Sequence, residues 1–271
     1  WSSMFVEALS RRGKESILID VPLTYPPGPR LGMCVTGLLT PGPESDYTYP
    51  QELKKEIEQN IQDYVISTNE IFVPGREEEF LSALERQIEK RTELALYLMK
   101  NYEWDFFMVV YSATDTVQHG LWGYTDPQSH IYRYSGRKEF AGGIEKIYRK
   151  VDAEIGKLQR QAGENTNLLI MSDHGAGPLY WFFHVNAFLM KRGFLKIKRT
   201  LKSRLKLFLF KSGFTLKNIY HLAARLGLGR SRQALDAKRS KRKLLTRLFL
   251  SFEDVDWGRT VAYSRGYIGQ I

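Results

Sequence analysis

Four consecutive apolar residues, Leu168-Leu-Ile-Met171, run without alternation into Ser172-Asp-His-Gly175. A strand buried on one face alternates apolar with polar residues. A run with no alternation predicts a strand covered on both faces, as in a parallel sheet lying between helices. This feature restricts the chain to α/β layering, and it also says where polar chemistry falls. In open sheets of this kind ligands gather beyond the carboxyl ends of the strands. Asp173 and His174 stand at that place, with Gly175 and Gly177 free to turn the backbone. The arrangement recurs upstream: Asp105-Phe-Phe-Met-Val-Val-Tyr-Ser112 is a second apolar run, followed by Asp115 and His119 in the pattern Asp-x-x-x-His.

The stretches between supply helices. Ser3 to Arg12 reads as the end of an amphipathic helix, and Ser16-Ile-Leu-Ile-Asp-Val21 as a short buried strand. Four prolines between Pro22 and Pro29, then a Gly- and Thr-rich stretch from Gly32 to Pro43, predict irregular loops that expose Thr36 and Thr40. No base stands beside either Thr, so neither is nominated as a nucleophile. Leu53, Ile57, Ile61 and Tyr64 predict a helix over 50–64. The longest helix is predicted over 77–101, with Phe80, Leu84, Ile88, Leu94 and Leu98 on one stripe and an acidic first turn that complements the helix dipole. Another is predicted over 139–161, and an aromatic loop beside the site over 120–134. The alternation of helix, strand and ligands, twice over, predicts a doubly wound, largely parallel sheet flanked by helices.

Carboxylates and neutral imidazoles suit zinc and other first-row divalent metals, and a site needs several converging on one point. A single Asp-His pair after a strand is also what a helix cap and a surface histidine look like. Duplication of the pair is what argues for a site.

Asp115-Thr-Val-Gln-His119-Gly-Leu-Trp-Gly-Tyr-Thr-Asp-Pro127, followed by Ser172-Asp-His-Gly175, resembles the type I phosphodiesterase and nucleotide pyrophosphatase family of the alkaline phosphatase superfamily. The resemblance extends to Val21-Pro-Leu-Thr-Tyr-Pro-Pro27, Thr36-Gly-Leu-Leu-Thr-Pro-Gly42, Tyr148-x-x-x-Asp152-x-x-Ile-Gly156 and Val255-Asp-Trp-Gly-Arg-Thr-x-Ala-Tyr263. It implies an alkaline phosphatase-like fold and a metal-dependent phosphoryl-transfer hydrolase with two divalent cations, zinc or manganese. The implied substrate is a phosphate ester or nucleotide. By the same resemblance Asp115, His119 and a third His would hold one cation, and Asp173, His174 and an upstream Asp the other. His184, inside Tyr180-Trp-Phe-Phe-His-Val-Asn186, is the nearest third His; packing into an aromatic core is its alternative reading. The implied nucleophile, a Thr or Ser, and the upstream Asp match nothing in these 271 residues. The chain is therefore expected to be a fragment and an incomplete catalytic unit.

The net charge of +10 hides two populations. Residues 191–250 hold 19 Lys and Arg against Asp236 alone, whereas the remainder carries 21 basic and 29 acidic residues. The expected organisation is an α/β core over 1–190, a basic helical cap or insertion over 191–250, and a return to the core over 251–271. Helices at Arg199 to Phe210 and Leu216 to Leu228 can cap the site and draw in an anionic substrate, or lie on an anionic membrane surface. The cap is the expectation, with Leu201, Leu205, Phe208, Leu209 and Phe210 buried against the core. The surface reading suits a non-catalytic homologue that keeps the fold and docks on anionic lipid or polymer. No nucleic-acid module is present and the aromatics do not alternate with cations as stacking platforms, so specific nucleic-acid binding is not expected. Cys34 is the only cysteine, which excludes an intrachain disulfide and a cysteine zinc site and points to a reducing, cytoplasmic compartment.

Overall fold

A computed structural model describes residues 5–64, 66, 72–129, 132, 137–178, 183–215, 218, 249–265 and 268–270. The chain divides into two units, Trp1–Tyr180 and Trp181–Ile271. The first is built on a four-stranded sheet of order β3-β2-β1-β4, from β1 (Ser16–Val21), β2 (Met33–Thr36), β3 (Thr48–Tyr49) and β4 (Phe106–Val109). β1 runs parallel to both β2 and β4, and β3 pairs antiparallel with β2. Alternate residues of β1 enter different cores. Ile17 and Ile19 pack with Ile57 of α2 (Glu52–Asn60) and Leu94 and Leu98 of α3 (Glu77–Asn101). Leu18 packs instead with Val6 of α1 (Phe5–Ser10) and with Leu31. Cover on both faces is why Ser16-Ile-Leu-Ile shows no apolar-polar alternation.

A third core fixes the helices around the candidate ligands. Phe80, Leu81, Leu84 and Ile88 of α3 pack with Ala113, Val117, Leu121 and Tyr124 of α4 (Ala113–Thr125) and with Ile147 and Val151 of α5 (Gly143–Ala162). The approach is close. A Cβ on Gly120 would stand 2.7 Å from the Phe80 ring, so α4 docks at this distance only with glycine there.

Three expectations change in the first unit. β2 forms inside the stretch expected to be irregular; the flanking glycines masked a short apolar run, Met33-Cys-Val35, that ends in Thr36. Thr36 is accordingly buried rather than exposed on a loop, and its hydroxyl lies 2.8 Å from that of Thr40. The second change is at Leu168–Met171, where no strand forms. The segment joins no sheet among the described residues, and Leu169 is 82% exposed. An unbroken apolar run reports compatibility with burial, but a strand also needs a partner ladder and a covering layer. Among the described residues β4 is paired with β1 alone, and no helix follows the run before α6 (Val185–Arg192). The third change is at 120–134, whose first half is helix rather than loop: α4 extends to Thr125.

The second unit holds α6, α7 (Leu201–Lys211) and a hairpin of β5 (Tyr263–Arg265) and β6 (Ile268–Gln270). The segment after Ser251 returns to this unit's own helices. Ile197 bridges Val255, and the Lys198 N–H donates to the Asp254 carbonyl at 2.8 Å. α7 turns its polar side inward. Lys206 is buried against Asp254 at 2.9 Å, with the Ser203 hydroxyl donating to the same carboxylate, so that Leu201, Leu205 and Phe208, expected to be buried, are instead exposed. Burial would raise the Asp254 pKa, but hydrogen bonds from Lys206, Ser203 and the Ser251 N–H outweigh it and hold the group below the usual carboxylate range. Of the helix predicted over 216–228 only Asn218 is described, and His130 and His221 lie outside the described residues. No helix of the described residues is long and apolar enough to cross a membrane.

Candidate metal centre

β4 ends at Val109, and three residues later Ser112 opens α4. The buried residues Ala113, Val117 and Leu121 recur every four positions and face α3 and α5. Asp115 and His119, offset by two from that stripe, fall on the opposite side of the helix and are exposed. The Asp-x-x-x-His pattern is thus an i, i+4 pair on a helix, not a pair on a loop. The two side chains meet, with His119 Nε2 3.4 Å from Asp115 Oδ1.

Asp173 and His174 sit on the exposed, unpaired segment, with His174 Nε2 3.6 Å from Asp173 Oδ2. His174 is held locally. Its Nδ1 lies 2.9 Å from the Gly175 carbonyl, and its own carbonyl accepts from the Ser172 hydroxyl at 2.6 Å. The Gly175 carbonyl raises the His174 pKa most, followed by the negative charge of Asp173; Asp115 adds to it. His184 lies in the other unit, immediately before α6. It is exposed there, so it is not the packed core histidine of the alternative reading.

Carboxylate and imidazole donors fit a divalent cation in kind. Each pair presents two such donors, and among the described residues no three of them close into a cluster.

Against Ser112, at the start of α4, lies a charged group that sequence reading passed over. Asp20, at the end of β1, is buried and paired with Arg91 of α3 at 2.6 Å; Arg91 is 1% exposed and Asp20 4%. Burial raises the Asp20 pKa to about 6, against the opposing pull of Arg91 and of the Ser112 hydroxyl. Its carboxylate is committed to these partners and is not a free metal donor. The available signal was a carboxylate inside an otherwise apolar strand, Ile17-Leu-Ile-Asp-Val21, since a buried charge requires a partner.

A largely parallel sheet between helices, with Asp115 and His119 following the carboxyl end of β4, defines an α/β protein. The chain belongs to the type I phosphodiesterase / nucleotide pyrophosphatase family, whose model matches residues 8–253. The mostly parallel sheet with its flanking helices agrees with the alkaline phosphatase-like fold expected of that family. The family's class of activity is phosphoryl-transfer hydrolysis, on phosphate-ester or nucleotide substrates. Searches among curated proteins and among solved structures return no match.

Proposed function

We propose that this chain carries the cation-binding part of a phosphodiesterase or nucleotide pyrophosphatase site. Asp115 and His119 hold one divalent cation, zinc or manganese. Asp173 and His174 contribute to the second. The observation that carries this reading is the Asp115–His119 pair, two donors 3.4 Å apart on the exposed side of a helix whose other side is packed in the core. The chemistry a bound divalent cation supplies is withdrawal of charge from phosphoryl oxygens. The chain's own residues do the rest of the work assigned here. The carboxylates of Asp115 and Asp173 offset the cationic charge, and each imidazole offers a neutral nitrogen lone pair, so protons compete with binding. The nucleophile and the further carboxylate implied by the resemblance have no counterpart among these residues.

Calorimetric titration with manganese tests the reading. Wild type should bind, and Asp115→Ala or His119→Ala should remove binding to the first pair while the thermal transition stays in place. Equal binding by both variants and wild type would remove the cation assignment for that pair.

A second reading is favoured by one observation: α7 exposes Leu201, Leu205 and Phe208 beside Lys202 and Arg204. It is that 191–250 docks on an anionic membrane or polyanion, as in a non-catalytic homologue. Charge attraction alone is screened over ~10 Å at 0.1 M salt. Vesicle binding that survives high salt and is lost in Phe208→Ser would support docking, and binding abolished by salt would oppose it.

A further inference from the structure

We propose that Asp20, Arg91 and Ser112 form a buried strut that sets the first turn of α4, making Arg91 and Ser112 positioning residues for Asp115. The inference rests on the cation-site reading for its consequence, and on geometry for the strut itself.

Ser112 occupies the N-cap of α4, where a serine hydroxyl ordinarily accepts from the backbone N–H of the second or third helical residue. Here it makes no cap hydrogen bond. The hydroxyl instead donates to Asp20 Oδ2 at 3.1 Å and accepts from Arg91 Nη1 at 3.2 Å. The same guanidinium reaches two backbone carbonyls, Val110 at 3.2 Å and Ile66 at 2.9 Å. One side chain of α3 thus binds the end of β1, the link between β4 and α4, and residue 66. The neighbouring residue of α3 adds a tie, since the Thr92 and Tyr111 hydroxyls lie 2.7 Å apart.

The backbone of β1 is shaped to allow this. Leu18 faces α1, and regular alternation would turn Asp20 to that same face, away from α3. Asp20 has φ 59°, and the β1–β2 register shifts between Ile19 and Val21. A bulge of this kind re-aims a side chain, and here Asp20 meets Arg91 on the α3 side. Gly37 permits the distortion, because a Cβ there would stand 2.3 Å from the Asp20 carbonyl oxygen. A left-handed aspartate, a glycine fitted beneath it and a helix cap used for another purpose converge three residues before Asp115.

The test separates the strut from the cation site. In Ser112→Ala, amide exchange of Thr116 to His119 should speed up with little change in the rest of α4, and manganese affinity should fall about tenfold, the low end for loss of an orienting group. Ser112→Thr should restore both. Unchanged exchange in Ser112→Ala overturns the strut, whatever happens to manganese. Faster exchange with unchanged affinity overturns the positioning role. Should wild type bind no manganese, the cation-site reading and the positioning role fall together, while the exchange measurement still decides the strut.

Discussion

The two Asp-His pairs look equivalent in sequence and are built differently. Asp115 and His119 ride on a helix docked by Val117, Leu121 and Tyr124, and its start is tied to a buried ion pair. Asp173 and His174 follow an apolar run that is exposed and unpaired, and their order rests on local hydrogen bonds at Ser172 and Gly175. An apolar pattern becomes a strand only where a partner and a cover exist. The first pair is therefore positioned by the core of its unit, the second by its immediate neighbours.

The largest expected effect lies in the strut. Arg91→Ala leaves Asp20 buried without its partner and should cost roughly 3–5 kcal/mol in denaturant unfolding. A loss below about 1 kcal/mol would mean that the pair is not buried as described. Next comes a contrast between the two apolar runs. Leu18→Ala, at 1% exposure in β1, should cost about 2–5 kcal/mol, whereas Leu169→Ala should stay within about 0.5 kcal/mol. Comparable losses at both positions would show that the second run is packed and would erase the difference between the pairs.

A smaller effect is expected from pH. Asp20 titrates near 6 in the fold against a usual 3.8, so the folded chain takes up this proton before the unfolded chain does. The contribution of the group to stability is fully present below about pH 3.8 and is lost as pH rises through about 6. Its size is on the order of 1–3 kcal/mol. Relative to Asp20→Asn, wild type should gain stability as pH falls from 7 to 5. A relative loss across that window would mean that attraction to Arg91 outweighs burial.

Much of the fold was legible, because periodicity reports burial directly. The helix expected over 77–101 is α3, and β1 and β4 fall where apolar runs end in polar residues. β2 was missed because Gly32 and Gly37 read as loop punctuation, although Gly37 serves the close approach to Asp20. Asp115 and His119 were nominated from their spacing after a strand, and spacing four is also a helix signature, which is the form the structure gives it. Arg91 could not be found this way. It lies 71 positions from Asp20, and pairing across that separation leaves no periodic trace.

The central claim, that Asp115 and His119 present a divalent cation with one carboxylate and one imidazole, is tested most directly by pulsed electron paramagnetic resonance of bound manganese. Read in a His174→Ala background, so that only the first pair offers an imidazole, the predicted result is a nitrogen coupling from a directly bound ring that disappears on adding His119→Ala and persists on adding Leu169→Ala. A spectrum without imidazole nitrogen coupling, or one unchanged by His119→Ala, would contradict it.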